Sequence, residues 1–526
     1  MTATYITTTI PYVNARPHIG HALELVQADV LARHRRGRGD AVRFGAGTDD
    51  NSLKNVLAAQ AAGVGVQEFV DRNAEAFAAL GGALSLTVDD FIRTSRDPRH
   101  RPGVERFWRA CAGDLYRRRY QGLYCTGCEQ FYPPAELRDG RCPEHETAPE
   151  QVSEENWFFR LSRYAGPLRE AIATGRLRIE PAGRRNEVLA FIDGGLADFS
   201  VSRPAGRAGG WGIPVPGDPG QVIYVWFDAL CNYVTALDYD RDGEEYRRWW
   251  AGDGNRVHLL GKGVLRFHAV YWPAMLLSAG LPLPTAIFVH DYLTAGGRKI
   301  SKSAALDLGA LEPAALAAGY GADAVRWWLL REVPRAGDAD FTVGRLAARS
   351  DDELANGLGN LVHRVTAMIH RYRDGQVPGP GQLPPGGADL DAALRQAPGL
   401  VAAALDEFDF RQATAAVRAV ADQANRFINR ARPWDLAKAD GTQGQLDAVL
   451  HLLIRACRAL GRELAPFLPD AAARITRQCT PRDGRLPAPS PVFRRLAPRP
   501  ASPGRTPDPA SPGQPARAPA ESGSGG

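Results

Sequence analysis

The chain has 526 residues, of which 44% are hydrophobic and 23% charged, and its net charge is +5 at pH 7. These values are ordinary for a soluble globular protein, the length predicts two to four domains, and the mild positive charge is a weak indication of a polyanionic partner. No apolar segment predicts a membrane span, because the longest candidate, residues 264–281, is interrupted by Arg266, His268 and Pro273.

The N-terminal segment lacks the basic and then apolar pattern of a secretion signal, so we expect a cytoplasmic protein. Thiols stay reduced in that compartment. The seven cysteines are therefore expected to be thiols or metal ligands rather than disulfides.

A strand followed by a helix is predicted at the start of the chain. Residues 4–10 are rich in β-branched residues, and apolar residues recur at helical spacing from residue 22 until Gly37. His18 and His21 lie at the junction, on one face of the helix start, where unpaired N–H groups favour an anion. They predict a phosphate site, and the alternative is a pair of histidines that cap the turn.

A second strand is predicted over residues 41–50, and it ends in a glycine-rich turn with two acids. The glycines lack the third member of a dinucleotide-binding fingerprint, so we do not predict such a site. Because ligands bind beyond the carboxyl ends of parallel strands, Asp49 and Asp50 are expected beside the two histidines.

A zinc site is predicted in the turn-rich segment between residues 122 and 160. Two short motifs, separated by thirteen residues, supply the four ligands Cys125, Cys128, Cys142 and His145. This is the tetrahedral set that zinc prefers, and four protein ligands indicate a structural site. The alternative is two unrelated pairs of buried side chains.

Three further apolar segments follow at residues 222–227, 257–262 and 286–290, and the last two resemble buried strands. The third leads to a glycine-rich loop with two lysines and two hydroxyls, Lys299, Ser301, Lys302 and Ser303. Such a loop suits a phosphate, and the alternative is a solvated basic loop.

Strand patterns cease near residue 350, and amphipathic helices continue to about residue 478, with a Pro/Gly connector at 378–387. Residues 497–526 contain almost no large apolar side chain and predict a disordered tail.

The His-Ile-Gly-His stretch at 18–21 and Lys-Ile-Ser-Lys-Ser at 299–303 match the two signatures of class I aminoacyl-tRNA synthetases. More closely, the chain resembles the methionyl-tRNA synthetase family, of the branch with a single zinc. The resemblance also covers residues 11–32, 224–233, 259–303, 360–364 and 432–434, and these stretches keep the family's order.

The resemblance implies an α/β fold with a Rossmann-like parallel-sheet catalytic domain, split between residues 1–118 and 212–305. A connective peptide with the zinc knuckle, 119–211, interrupts it. A linking unit that contacts the tRNA stem (306–350), an all-α anticodon-binding bundle (351–496) and the tail (497–526) follow. Because no oligonucleotide-binding domain follows the bundle, we expect a monomer.

The implied activity is ATP-dependent activation of L-methionine and its transfer to tRNA(Met), with Mg²⁺ accompanying ATP. Catalysis would rest on His18, His21, Lys299 and Lys302, and ATP binding also on Gly20, Ser301 and Ser303. The implied methionine-binding residues are Ile10, Tyr12, Asp49, Trp226, Ala229, Leu230, Tyr233, Phe267 and His268. The implied anticodon contacts are Asn360, Arg364 and Trp434.

The sequence departs from the family at three places, one of which, Ile300 for the usual methionine of the second signature, roughly keeps the volume. Where the family usually has Thr-Asp-Glu-His-Gly, this chain has Asn51 and Ser52 in the last two positions. Gly263 replaces an acid near the methionine site, so its usual partner, which resembles Arg203, is expected to have another neighbour. These departures leave open a specialised synthetase that activates another amino acid or serves a biosynthetic pathway, and a non-catalytic tRNA-binding relic.

Overall fold

The computed structural model describes residues 3–126, 130–132, 134–143, 146–300 and 311–496. The predicted site residues Cys128, His145, Ser301, Lys302 and Ser303 and the tail lie outside these residues, and Lys299 is described by its backbone. Among the described residues, no helix has both the length and the apolar character that a membrane span needs.

The strands, in chain order, are β1 (Ala3–Thr8), β2 (Ala41–Thr48), β3 (Asp90–Arg93), β4 (Leu115–Cys125), β5 (Gln130–Tyr132), β6 (Glu150–Phe159), β7 (Arg178–Glu180), β8 (Phe199–Ser200), β9 (Ser202–Pro204), β10 (Pro214–Val215), β11 (Asp218–Ile223), β12 (Asn255–Gly261), β13 (Ala286–His290), β14 (Leu293–Ala295), β15 (Arg298–Lys299) and β16 (Ala339–Asp340). Six of them form a parallel sheet in the order β3-β2-β1-β12-β13-β7. The order reverses direction between β1 and β12, and in open α/β sheets ligands bind at such a switch point.

The helices of the first two-thirds of the chain are α1 (Ile19–Gly37), α2 (Leu53–Ala61), α3 (Val66–Ala78), α4 (Leu80–Ala83), α5 (His100–Ala110), α6 (Ala165–Ala173), α7 (Ala182–Asp193), α8 (Val225–Leu230), α9 (Asn232–Thr235), α10 (Glu244–Tyr246), α11 (Trp272–Ser278), α12 (Pro313–Tyr320) and α13 (Ala322–Arg331). A second sheet, antiparallel and ordered β5-β4-β6-β8, carries the cysteine-bearing segment. The α/β fold class predicted from the sequence is confirmed.

After β16 the described chain is mainly helical: α14 (Val343–Arg349), α15 (Asn360–Arg373), α16 (Ala388–Asp406), α17 (Phe410–Ala431), α18 (Pro433–Leu436), α19 (Gln443–Glu463) and α20 (Pro469–Cys479). Apolar residues of this bundle share one buried cluster with α1 and α13. Arg326 of α13 joins these parts: it is fully buried, pairs with Asp29 of α1 at 2.8 Å, and donates to the carbonyls of Leu84, Pro466 and Phe467.

The structure differs from the sequence-based expectation at three places. The glycine-rich segment 45–47 is not a turn, because β2 runs through it to Thr48; at Gly47 a Cβ would lie 2.3 Å from the carbonyl oxygen of Ile92 in β3. The apolar segment 222–227 is divided between β11 and α8. β7 joins the main sheet although it falls inside the range predicted for the connective peptide. The sequence did not predict this strand, because three residues are too few to show a periodic pattern.

Candidate active site

A cavity of about 710 Å³ opens at the carboxyl ends of β1, β2, β12 and β13, where the strand order reverses. Every residue predicted to bind methionine lines this cavity, as do the residues of the first predicted phosphate motif: Ile10, Tyr12, His18, Gly20, His21, Asp49, Trp226, Ala229, Leu230, Tyr233, Phe267 and His268. Residues up to 258 positions apart in the sequence therefore meet at one site.

His18 and His21 begin α1 and cap it reciprocally. Nδ1 of His18 accepts the N–H of Gly20 at 3.1 Å, and Nδ1 of His21 accepts the N–H of His18 at 3.1 Å. The ring centroids lie 3.9 Å apart. Because each Nδ1 accepts a hydrogen bond, the proton of a neutral ring is on Nε2. The capping contacts are therefore observed, and Nε2–H is the donor of each ring in this tautomer, at the end of the helix whose dipole favours an anion.

Close packing requires a glycine at position 20. A Cβ at this position would lie 3.0 Å from Nδ1 and Cε1 of His18, which is tighter than nearly all real contacts. The absence of a side chain lets the His18 ring fold over the first turn of α1, and this places it against His21.

Asp49 also lines the cavity and is 2% exposed. Its N–H donates to the carbonyl of Pro11, its Oδ1 accepts the N–H of Asn51 at 3.1 Å, and its carbonyl accepts from Asn55. These bonds join the loops that follow β1 and β2. A carboxylate held in this way suits a cationic group of a ligand.

Asp50 does not share this wall, which corrects the expectation that both acids lie beside the histidines. Its side chain is fully buried, accepts from Thr48 and Ser95, and pairs with Arg93 at 3.1 Å. Burial raises its pKa, and these partners oppose that effect. Adjacent residues at the end of a strand point to opposite faces, so only one of two neighbouring acids faces the cavity.

Trp226 and Phe267 form an aromatic wall. Their rings are stacked, with centroids 3.8 Å apart and planes 7° from parallel, and the Tyr12 ring meets Trp226 edge-on at 6.1 Å. Phe267 begins a π-helical turn, Phe267–Tyr271, a local geometry that is frequent at functional sites. The wall offers flat, polarisable contact area to an apolar ligand group.

His268 follows Phe267 and is buried. The Tyr233 hydroxyl lies 2.8 Å from its Nε2, and its Nδ1 lies 2.9 Å from the carbonyl oxygen of Val264. Since a carbonyl only accepts, Nδ1 carries the proton and Nε2 accepts from Tyr233. Burial lowers the pKa of His268 to about 4, so the ring is neutral at pH 7.

Several polar residues of the cavity were missed from the sequence, among them Glu24 and Lys54. Glu24 of α1 accepts both the N–H and the hydroxyl hydrogen of Thr9, and its Oε2 lies 3.1 Å from Nε2 of His290. It is an acid on the apolar face of a predicted helix, one turn after His21, and this was a usable signal. Lys54, 4.7 Å from the Tyr12 ring centroid, carried no signal of its own.

The second predicted phosphate motif begins at this cavity. β15 pairs with β14 through Lys299 and Thr294, and the next residue, Ile300, lies on the cavity wall and is 4% exposed. The remaining residues of the motif, Ser301, Lys302 and Ser303, lie outside the described residues.

The cysteine-bearing segment reaches the same cavity. Cys125 and Cys142 are both 1% exposed and pack with Tyr132 and Leu137, while Glu136 lines the cavity. Within residues 3–126, 130–132, 134–143, 146–300 and 311–496, no group of three or more metal-binding side chains occurs. Two of the four predicted ligands, Cys128 and His145, lie outside those ranges.

The predicted anticodon residues lie in the helical bundle. Asn360 and Arg364 are one turn apart on α15, the first exposed and the second half-buried. Trp434, on α18, is half-buried and packs against the core of the bundle.

The family description "tRNA synthetases class I (M)" matches residues 4–151 and 133–366, and "Anticodon binding domain of methionyl tRNA ligase" matches residues 377–497. The chain belongs to the methionyl-tRNA synthetase family. This confirms the family predicted from the sequence motifs.

Individual members of the methionyl-tRNA synthetase family are similar over most of their length. A methionine–tRNA ligase of Caldanaerobacter subterraneus subsp. tengcongensis is 39% identical over 477 residues, which cover 90% of this chain and 73% of that protein. One of Brucella suis is 38% identical over 517 residues, covering 93% and 97%. The structure of Mycobacterium tuberculosis methionyl-tRNA synthetase bound by methionyl-adenylate matches with a TM-score of 0.88 and 35% identity, covering 94% of this chain and 100% of that one.

The departures from the methionyl-tRNA synthetase pattern have structural counterparts. The Ser52 hydroxyl caps α2 by accepting the N–H of Lys54 at 3.0 Å. At Gly263, a Cβ would lie 2.3 Å from the hydroxyl oxygen of Tyr292, so the phenol fills the space of the missing side chain.

Arg203, expected to lack its usual acidic partner, has aromatic neighbours instead. Its guanidinium lies 4.3 Å from the Tyr224 ring centroid and 5.0 Å from that of Phe131, and it donates to the Ser200 hydroxyl at 2.8 Å. These cation–π contacts and the hydrogen bond stabilise the buried guanidinium.

Proposed function

We propose that this chain is a methionine–tRNA ligase, which activates L-methionine with ATP to methionyl-adenylate and transfers the methionyl group to the 3′ end of tRNA(Met). The observation that carries this proposal is the joint cavity at the strand switch point. The cavity is lined by a helix N-terminus with two imidazole side chains, by the stacked rings of Trp226 and Phe267, and by the carboxylate of Asp49.

The part of the cavity at the N-terminus of α1 would position the ATP phosphates and stabilise their charge. Nε2–H of His18 and of His21 would donate to phosphate oxygens while the methionine carboxylate attacks the α-phosphorus and pyrophosphate leaves. Lys299 and Lys302, with Ser301 and Ser303, would hold the leaving pyrophosphate. Positioned donors and cations stabilise the charge that develops on these oxygens, and Mg²⁺ accompanies ATP in class I synthetases.

The methionine-binding part of the cavity would bind both the ammonium group and the thioether of the amino acid. Asp49 would pair with the ammonium group, and the thioether would lie against Trp226 and Phe267, with Ile10, Tyr12, Ala229, Leu230, Tyr233 and His268 around it. Sulfur–aromatic contacts favour an unbranched thioether in such a slot. The neutral His268 and its bond to Tyr233 avoid a buried charge beside an apolar substrate.

The test is ATP–pyrophosphate exchange with each of the twenty amino acids. We expect exchange with methionine, and a loss of about 10²–10³ in kcat for Lys302→Ala, the size usual for one charge-stabilising donor. Lys438→Ala, an exposed lysine of the bundle, serves as the control and should retain activity. Exchange that is fastest with another amino acid would favour the specialised synthetase, and exchange with none would overturn the proposal.

A structural zinc held by Cys125, Cys128, Cys142 and His145 is part of the proposal. Its support is that Cys125 and Cys142 are buried in one small cluster, and that Thr147 joins them: its carbonyl accepts the N–H of Cys142, and its hydroxyl oxygen lies 3.9 Å from the sulfur of Cys125. Metal analysis should find one zinc per chain, lost in Cys142→Ser and retained in Cys111→Ser. A purified wild-type chain without zinc would contradict this.

The helical bundle would read the anticodon through Asn360, Arg364 and Trp434, because splayed anticodon bases are bound by stacking and edge hydrogen bonds. Trp434→Ala should raise the KM for tRNA(Met) and leave amino-acid-dependent exchange unchanged. The domain boundaries, the monomeric state and the cytoplasmic location stay predictions; light scattering of the purified chain tests the second.

A further inference from the structure

Asn51 makes contacts in two directions from the loop that follows β2. Its backbone N–H donates to Oδ1 of Asp49 at 3.1 Å, and its side-chain Nδ2 donates to Oδ2 of Asp228 at 2.8 Å. Asp49 lies on the cavity wall, and Asp228 is a residue of α8, the helix that also carries Trp226. One residue therefore connects the acidic wall of the cavity to the helix behind the aromatic wall.

The carboxylate of Asp228 is held from its other side by a histidine. Its Oδ1 lies 2.6 Å from Nε2 of His100, the first residue of α5, and Nδ1 of His100 lies 2.8 Å from the Thr235 hydroxyl. Asp228 is 1% exposed and His100 is fully buried. Since an ionised carboxylate only accepts, Nε2 carries a proton, and each oxygen of Asp228 has one donor. Loss of either donor would leave a buried charge partly unpaired.

We propose that Asn51, Asp228 and His100 form a positioning network that sets the spacing between the carboxylate for the methionine amino group and the aromatic slot for its thioether. The two binding elements come from different parts of the chain, the loop after β2 and helix α8. Methionine is flexible, so it gains from both contacts together only if their separation is fixed.

The residue type at position 51 fits this role. An amide donates to Asp228 without adding a charge, whereas a carboxylate there would face Asp228 at hydrogen-bond distance and repel it. The family usually has histidine at position 51, and this chain has an amide there. The imidazole that donates to Asp228 in this chain is that of His100 in α5. None of the three network residues needs to touch the substrate.

The inference rests on the proposed function, and methionine-dependent exchange kinetics test it. Asn51→Ala removes the side-chain bond and keeps the backbone N–H to Asp49. We expect the KM for methionine to rise about tenfold, as for the loss of a hydrogen bond to a charged group, with the KM for ATP and kcat within about twofold. Asn156→Ala, which removes another buried amide that donates to Glu154, is the matched control and should change none of them.

Further variants separate positioning from general damage. His100→Gln, which retains a donor, should stay near wild-type, whereas His100→Ala should raise the methionine KM. The double variant Asn51→Ala/His100→Ala should show less than the product of the single effects, because both act through Asp228. Asn51→Asp, nearly isosteric with the native residue, should raise the methionine KM at least as much as Asn51→Ala and gives the result if the alanine variant does not fold.

The outcomes distinguish this inference from the proposed function. The network alone would be overturned if the wild-type chain catalyses exchange and Asn51→Ala has an unchanged KM for methionine. Equal rises in the KM for methionine and for ATP in Asn51→Ala would overturn it as well. A wild-type chain without methionine-dependent exchange would overturn both. Tryptophan fluorescence titration with methionine alone should give the same weakening in Kd as in KM.

Discussion

Gly263→Ala tests whether the phenol of Tyr292 has taken the space of the family's acid. The new Cβ would lie 2.3 Å from the Tyr292 hydroxyl oxygen, far inside van der Waals contact. Movement of the phenol away from the new Cβ would disturb its contact with Lys262, which lies 4.5 Å from the ring centroid. Overpacking of this kind costs about 1–3 kcal/mol of unfolding free energy.

A double-mutant cycle isolates that contact. In Tyr292→Phe the next atom, Cζ, would be 3.4 Å from the new Cβ, an ordinary contact, so Gly263→Ala should cost less than about 0.5 kcal/mol in this background. Urea unfolding measures all four proteins. Gly113→Ala, in a comparable short turn where a Cβ meets nothing within 4 Å, is the control. Equal destabilisation by Gly263→Ala in the wild-type and Tyr292→Phe backgrounds would refute the reasoning.

The same cycle has a kinetic readout. Tyr292 lines the cavity, so a phenol displaced by Gly263→Ala moves into ligand space. The KM for ATP or for methionine should rise in the single variant and return toward the wild-type value in the double variant. An unchanged KM together with lost stability would place the displacement on the side away from the ligand.

Three further predictions concern Trp226, His268 and Arg326. Trp226→Ala removes the ring stacked on Phe267 and should raise the methionine KM about tenfold or more in exchange assays, since an aromatic face is worth a few kcal/mol. The pKa of His268 falls from 6.5 to about 4 on folding, so the unfolded chain binds more protons between these two pH values. The contribution of His268 to the free energy of unfolding is therefore fully present above pH 6.5 and is lost toward pH 4. His268→Gln should flatten that part of the pH profile measured by urea unfolding. Arg326→Met leaves Asp29 and three carbonyls short of a donor and should cost about 3–5 kcal/mol in urea unfolding.

Each of these has an outcome that contradicts it. A Trp226→Ala variant with wild-type methionine KM would remove the aromatic wall from the proposed binding site. Identical pH profiles for the wild type and His268→Gln would mean that the buried ring does not titrate differently on folding. Wild-type stability of Arg326→Met would show that the contact between α1, α13 and the bundle contributes little.

The sequence by itself determined the local elements and most of the candidate site. The β-branched run at residues 4–10 and the helical spacing from residue 22 predicted β1 and α1, because hydrophobic periodicity is set by the geometry of each element. The motif residues then named the cavity wall, from His18 and His21 to Trp226, Phe267 and His268, and the structure brings all of them together. The family motifs identify these residues because each motif lies in a segment that contributes side chains to the same site.

Only the tertiary structure decided what each side chain faces. Local pattern does not separate Asp49 from Asp50, and only the family resemblance singled out Asp49; in the structure the first lies on the cavity wall and the second is buried against Arg93. Likewise, the bond between His100 and Asp228 joins residues 128 positions apart. The partner of a buried charge depends on how distant elements pack, and the local pattern around either residue contains no record of that packing.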